Sequence, residues 1–302
     1  MTITAIILLT VSAFTHAGWN LISKKEYPTQ AFYLLANTIG VFCILPLLFV
    51  YRDLIYFIPS SVWMFMLISG FFLAVYLATL AGAYRAGDIS IAYPLIRSLP
   101  VIFVFIATLV LGKGHEVSGL LIAGLILIAA GCIVLPLKSF GDFQIKAYQN
   151  LCCFLAILSA LGVAGYTIVD DEALRQLRAS ANMPLNPVTG TLVYMVLEGI
   201  SCSIWQAIFV FCDTREKNNI SAVFKSGKSA AVMTGIGIYL TWGLVLVSMN
   251  YVANVSYVAA FRQLSIPLGA IFGMTLLREP RYLPKKVGIA TICSGLVLAG
   301  FG

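Results

Sequence analysis

The chain has 302 residues, 60% of them hydrophobic and 10% charged, with a formal charge of +7 and a mean hydropathy of +0.96. About a quarter of the residues of a soluble domain are charged, so this composition excludes one and describes an integral membrane protein. The positive charge then reports loop topology and not nucleic-acid affinity, because Lys and Arg collect in the loops on one side of a membrane.

Apolar windows interrupted by charge predict ten transmembrane helices, over residues 3–22, 29–50, 62–84, 89–111, 117–137, 150–170, 188–212, 230–252, 255–277 and 286–302. The first window lacks the basic start of a signal peptide and has a twin later in the chain, so it is expected to remain in the protein. The longest connections, 171–187 and 213–229, are polar loops too short for a soluble domain. The seven cysteines lie in or beside apolar segments without metal spacing and read as small hydrophobes.

The segments repeat. Ser12-Ala-Phe-Thr-His-Ala-Gly-Trp19 matches Ser159-Ala-Leu-Gly-Val-Ala-Gly-Tyr166, which pairs segment 1 with segment 6. Pro28, Gly40 and Cys43 recur as Pro187, Gly199 and Cys202, while Gly119, Gly124 and Gly131 find counterparts in Gly288, Gly295 and Gly300. Residues 1–140 and 147–302 therefore form two five-helix halves. Five is odd, so the second half enters the membrane from the opposite side. The expected architecture is all-α, two inverted five-helix repeats, as secondary transporters use to build two gates around one site. The small residues of segments 5 and 10 predict close helix packing away from the substrate and a possible dimer face, so the protein is a monomer or a homodimer.

The loops after segments 1, 3, 5, 7 and 9 hold Lys24, Lys25, Arg85, Lys138, Lys146, Arg215, Lys217, Lys225, Lys228, Arg278, Arg281, Lys285 and Lys286. The other loops hold only Arg52, Lys113, Arg175 and Arg178. The charge bias puts the odd loops in the cytoplasm and both termini outside.

Segment 4 opens with Gly87-Asp-Ile-Ser-Ile-Ala-Tyr-Pro-Leu-Ile-Arg-Ser-Leu-Pro100, an arginine and two prolines inside an apolar run. Segment 9 repeats the idea in Asn254-Val-Ser-Tyr-Val-Ala-Ala-Phe-Arg-Gln-Leu-Ser-Ile-Pro267. An intramembrane arginine is costly and marks a functional site, and the prolines free carbonyls beside it. In antiparallel halves Arg97 and Arg262 fall on either side of the midplane, roughly 10 Å apart along the normal. Two arginines and Glu198, the only acid well inside a segment, leave a surplus positive charge, which predicts an anionic or zwitterionic substrate. Glu198 itself is read as the partner of an arginine or as a proton carrier. The predicted substrate-binding residues are Arg97, Arg262, Tyr93, Gln263, Glu198, His16, Trp19, Asn20 and Tyr166. His16 has a competing reading as a structural histidine and Trp19 as an interfacial anchor. Asp170, Asp171 and Glu172 read as a salt-bridged helix end at the membrane edge, facing Arg175 and Arg178.

The duplicated order, the Ser-x-Pro turns of segments 4 and 9, Leu277-Arg-Glu-Pro280 after segment 9 and the glycine-spaced segments 5 and 10 resemble EamA-type members of the drug/metabolite transporter superfamily over nearly the whole chain. The resemblance implies a multi-pass carrier of the cell (inner) membrane. The family's acid after segment 4 follows Leu-Gly directly. Here Leu111-Gly-Lys-Gly-His-Glu116 displaces it, so no role passes to that glutamate. The family is generally taken to have cytosolic termini; the charge count gives the opposite and is kept.

No nucleophile and base, metal cluster or phosphate loop is present in the sequence, which argues against an enzyme and against any cofactor. The expected function is secondary-active transport of a small polar metabolite, with the lipid bilayer and the solute as partners and no nucleic acid. The alternatives are an exporter of amino acids or drug-like cations on the same fold and a membrane-embedded transferase acting on a phosphorylated lipid.

Overall fold

The computed structural model describes residues 2–25, 29–86, 89–112, 118–134, 137–142, 149–180, 187–276 and 281–301. Among these residues the chain is helical throughout, with no strand. The helices are α1 (Ile3–Lys25), α2 (Gln30–Ile44), α3 (Pro46–Val50), α4 (Ser60–Ala86), α5 (Ile89–Val110), α6 (Gly119–Val134), α7 (Leu151–Ala179), α8 (Pro187–Cys212), α9 (Thr214–Ser226), α10 (Lys228–Ser248), α11 (Val255–Phe261), α12 (Ser265–Leu276) and α13 (Leu283–Phe301). Among the described residues six stretches are long and apolar enough to cross a membrane: Ile3–Ser23, Gln30–Val50, Ser60–Ala86, Leu151–Ala179, Val188–Cys212 and Lys228–Tyr251. Ile96–Val110 and Gly119–Val134 are apolar but shorter. Large side chains such as Ile3, Phe49, Val110 and Phe301 stand exposed around the bundle, as a lipid-facing surface requires. The fold is that of an all-α membrane protein.

Local chemistry sets the boundaries. The Thr29 hydroxyl accepts the amide of Phe32 at 3.0 Å and opens α2, and Asn150 accepts that of Cys153 at 3.0 Å to open α7. Asn254 does the same for Ser256 at 2.8 Å at the start of α11. Each cap satisfies a donor that the first helical turn leaves orphaned. Pro46 sits at the first turn of α3 and separates it from α2, because proline carries no amide hydrogen for the preceding ladder.

Three boundaries differ from those read in the sequence. Segment 6 was expected to stop at residue 170, but α7 continues to Ala179. Its extension is amphipathic. Asp170, Asp171, Ala173, Leu174 and Leu177 are buried; Asp171 accepts from Arg175 at 3.3 Å and the half-buried Glu172 accepts from Gln176 at 2.9 Å, each four residues apart. Segment 9 is broken into α11 and α12 by a 3-10 turn at Arg262–Leu264, whereas α5 runs unbroken through Pro94 and Pro100. Unwound backbone therefore accompanies Arg262 and not Arg97. The connection 213–229 carries an additional helix, α9, capped by Asp213.

The packing falls into two cores. The larger joins α1, α2, α4, α7, α8 and α10 around residues such as Tyr33, Leu80, Tyr194 and Leu246. The smaller joins α5, α6, α11, α12 and α13 around Val101, Ile128, Tyr257 and Ile292. Within the larger core α4 lies along α7, and α10 lies along α1. Further contacts join α5 to α7, α12 to α1, α4 to α8 and α10 to α2. In the smaller core α6 and α13 cross antiparallel, with Gly124 against the backbone of Gly295 and Gly131 against that of Gly288. A β-carbon at Gly124 would meet a carbonyl there, so only glycine permits the approach. These glycines face each other within one chain and are not free to make a dimer face.

Candidate functional site

Arg262 follows α11, a helix that contributes to both cores. The 3-10 turn swings its guanidinium toward α7, where it donates to the Tyr166 hydroxyl at 2.7 Å and to Thr167 Oγ1 at 3.2 Å. It also lies 5.5 Å from the ring centroids of both Tyr166 and Trp242, which stand edge to face at 4.6 Å. Ring quadrupoles attract the cation and hold it in place without neutralising it. A guanidinium has five N–H donors, and these bonds leave others for a ligand.

Arg97, 6% exposed on α5, donates to Ser265 Oγ at 3.1 Å, and that hydroxyl donates to the Arg262 carbonyl at 3.0 Å. One serine thus connects the two arginines. Both side chains line a cleft of 10 Å³ with Pro100, Thr167 and Gln263. The Gln263 amide donates to the Ala259 carbonyl at 3.1 Å, and its Oε1 is buried without a partner.

On the other side of Arg262 is a cavity of about 50 Å³, lined among others by His16, Trp19, Tyr166, Thr241 and Trp242. Three polar atoms there, His16 Nε2, Trp19 Nε1 and Thr241 Oγ1, are buried with no hydrogen-bond partner. A buried polar group left unpaired costs free energy, so three around one cavity beside a cation describe a place made for a ligand or for water. The His16 ring stands edge to face with Trp19 at 4.6 Å. Trp19 is buried against Gly237 and is not an interfacial anchor. Binding pockets for small molecules measure about 300–1,000 Å³. The cavity is smaller than that.

Behind Trp242 lies an acidic pair. Glu198 accepts from Trp242 Nε1 at 2.9 Å and touches Ser69 Oγ at 2.6 Å. The same Ser69 oxygen is 2.6 Å from Asp170 Oδ1, to which Tyr194 also donates at 2.7 Å. Both acids are 0% exposed. Glu198 thus keeps company with another carboxyl group and not with an arginine. Asp170 is interior and not a solvated helix end, because α7 continues beyond it.

Of the residues singled out in the sequence, Arg97, Arg262 and Gln263 share the cleft, and His16, Trp19, Tyr166 and Arg262 share the cavity. Asn20 is turned back on its own helix, donating to the His16 carbonyl at 2.9 Å. The Tyr93 side chain lies outside the described residues. Asp170, Ser69, Trp242 and Ser265 were not anticipated. Ser265 was within reach of sequence reasoning, since it stands in the second Ser-x-Pro beside Arg262.

The fold and site define a helical membrane protein with a buried polar centre. No family model and no curated protein matches the chain. A protein of known crystal structure shares the fold, with a TM-score of 0.68 over 98% of this chain and 97% of that chain at 16% identity. At that identity the likeness speaks for the fold alone.

Proposed function

We propose that the protein is a secondary-active transporter, built as two inverted five-segment repeats, that moves a small anionic or zwitterionic metabolite by alternating access. In this reading α2 with α3, and α11 with α12, are each one segment, which gives ten in all. The packing supports the repeat. Exchanging each segment for its twin turns the α4 and α7 contact into that of α10 and α1, α5 and α7 into α12 and α1, and α4 and α8 into α10 and α2. Twins that touch run antiparallel: Arg97 bonds Ser265 while Thr108 bonds Ser256, and Gly124 meets Gly295 while Gly131 meets Gly288. A twofold axis in the membrane plane gives that relation, and parallel repeats do not.

The observation that carries the function is one cavity lined by Arg262 together with His16, Trp19 and Thr241, three residues that each hold a buried, unpaired polar atom. A carboxylate or phosphate would take the free guanidinium donors, and the unpaired His16, Trp19 and Thr241 would hold its other end. The ligand has to be admitted by parting of the two halves, since the cavity is too small for it as it stands. The residues bind and orient, and none is set as nucleophile beside a base. The chain is accordingly read as a non-enzymatic, multi-pass carrier of the inner membrane, of the EamA type that its motifs resemble, with odd loops in the cytoplasm.

The test is uptake into proteoliposomes of labelled lactate, succinate, glycerol phosphate, alanine and tetraphenylphosphonium. At least one anion or the zwitterion is expected to be carried unchanged. Arg262→Gln should lower its uptake about tenfold or more, since a hydrogen bond to a charged group contributes about 1.5–3 kcal/mol. Transport of the lipophilic cation alone, or full anion transport by the Arg97→Gln/Arg262→Gln double variant, would overturn the reading.

A further inference from the structure

We infer that the coupling ion is the proton, bound by the Asp170, Ser69 and Glu198 cluster and carried in the same direction as the anionic substrate. The inference rests on the transport reading above and adds the driving ion and the sign of the coupling.

The argument begins with a count of hydrogens. Ser69 Oγ is 2.6 Å from a carboxyl oxygen of Asp170 and 2.6 Å from one of Glu198. A hydroxyl has one hydrogen to donate. It satisfies one of these contacts, and the second, at hydrogen-bond length, requires a hydrogen supplied by the carboxyl group itself. Two ionised carboxylates would leave an oxygen facing an oxygen with nothing between them. At least one proton therefore resides on the pair in this conformation. The second observation is that Asp170 Oδ2 is buried and accepts from no N–H or hydroxyl donor. It is an open acceptor for a proton or for the water that delivers one.

The surrounding groups favour a proton over a metal cation. From α8, Tyr194 donates to Asp170; from α10, Trp242 donates to Glu198. Both aim hydrogens at the acids, where a sodium ion would need lone pairs. Among the described residues no group of three or more metal-ligating side chains forms. The other titratable or charged groups acting on the pair are Tyr166 of α7, Cys202 of α8, Tyr239 of α10 and Arg262.

Trp242 joins this cluster to the cavity. Its indole N–H holds Glu198, and its ring lies 5.5 Å from the Arg262 guanidinium. Releasing the proton places a negative charge one side chain behind Arg262, where it competes with a bound anion for the same cation. Binding a proton removes that competitor. Proton and anion thus favour each other, which by linkage makes the cycle a symport.

Two measurements test this. Infrared difference spectra of the purified protein at neutral pH should contain the band of a buried protonated carboxyl, lost in Asp170→Asn/Glu198→Gln and shifted in Ser69→Ala. Its absence from the wild type, or its persistence in the double variant, overturns the inference without reference to any substrate. In proteoliposomes with acid outside, whichever of lactate, succinate, glycerol phosphate or alanine the wild type carries should accumulate, to about tenfold per coupled proton for each pH unit. Glu198→Gln should lose that accumulation, its uptake becoming the same with and without the pH gradient. Transport that a pH gradient does not drive overturns proton coupling and leaves the carrier reading intact. Failure to move any probe, with the infrared band present, overturns the carrier reading instead.

Discussion

Ser12 and Ser159 make the same bond in different halves of the chain. The Ser12 hydroxyl donates from α1 to the Thr241 carbonyl of α10 at 3.0 Å, and the Ser159 hydroxyl donates from α7 to the Tyr76 carbonyl of α4 at 3.2 Å. These are the two serines that head the matched octapeptides in the sequence. In the proposed repeat each fastens the first segment of one half to the third segment of the other. Hydrogen bonds between membrane helices contribute about 0.6 kcal/mol on average, so Ser12→Ala and Ser159→Ala should each lower the thermal midpoint slightly and by similar amounts. The sites share no partner, and the double variant should show the sum. Melting curves in detergent check this; a large loss from one serine and none from the other would contradict the equivalence.

The inverted repeat proposed above predicts which loops face which compartment. Asp53, after α3, and Asn218, on α9, are both exposed and stand after equivalent segments of the two halves. With the native cysteines replaced, Asp53→Cys and Asn218→Cys should react with an impermeant maleimide from opposite faces of sealed vesicles. Reaction from the same face would remove the inverted repeat.

Packing of α6 on α13 gives a third prediction. A leucine at Gly124 would be driven into the Gly295 carbonyl and Ala299, and one at Gly295 into Gly124 and Ile128. Overpacking of a tight contact costs about 1–3 kcal/mol. Gly124→Leu and Gly295→Leu should therefore lower the melting temperature of the single chain, with no change in its oligomeric state by light scattering. Loss of a dimer with an unchanged melting temperature would restore these glycines to an intermolecular face.

The parts of this structure legible in the sequence are those with a periodic or duplicated signal. The spaced glycines of segments 5 and 10 lie where α6 and α13 meet, and the prolines beside Arg97 and Arg262 marked the residues that now share a cleft. The parts that were not legible depend on three-dimensional closure. Asp170 was read as the end of a helix because hydropathy windows stop at charge, whereas a helix stops only when its backbone bonds do. Asp171 with Arg175 and Glu172 with Gln176 satisfy the polar side of α7 while Leu174 and Leu177 bury the other. The apposition of Asp170 and Glu198 across Ser69 joins three helices, and no spacing along one chain encodes it.

The last prediction concerns the edge of the bundle where α4, α9 and the start of α2 meet. Arg85 forms an ion pair with Glu216, whose other oxygen accepts the Ala31 amide at 3.3 Å. The Glu216 side chain is 1% exposed and that of Arg85 26%. Arg178, which is exposed, instead donates to Asn250 at 2.9 Å, and Asn250 to Thr191 at 3.1 Å. Arg85→Ala strands a buried carboxylate, a loss closer to the 3–5 kcal/mol of a broken buried pair than to the roughly 0–1 kcal/mol of a surface one. Arg178→Ala removes one exposed bond and should cost at most about 1 kcal/mol. Glu216→Gln keeps an acceptor for the Ala31 amide and leaves no stranded charge, so adding it to Arg85→Ala should recover part of the loss. The expected order of melting temperatures is wild type, Arg178→Ala, the Arg85→Ala/Glu216→Gln double variant, and Arg85→Ala lowest. An Arg85→Ala protein that melts with Arg178→Ala would mean that Glu216 is solvated at this edge.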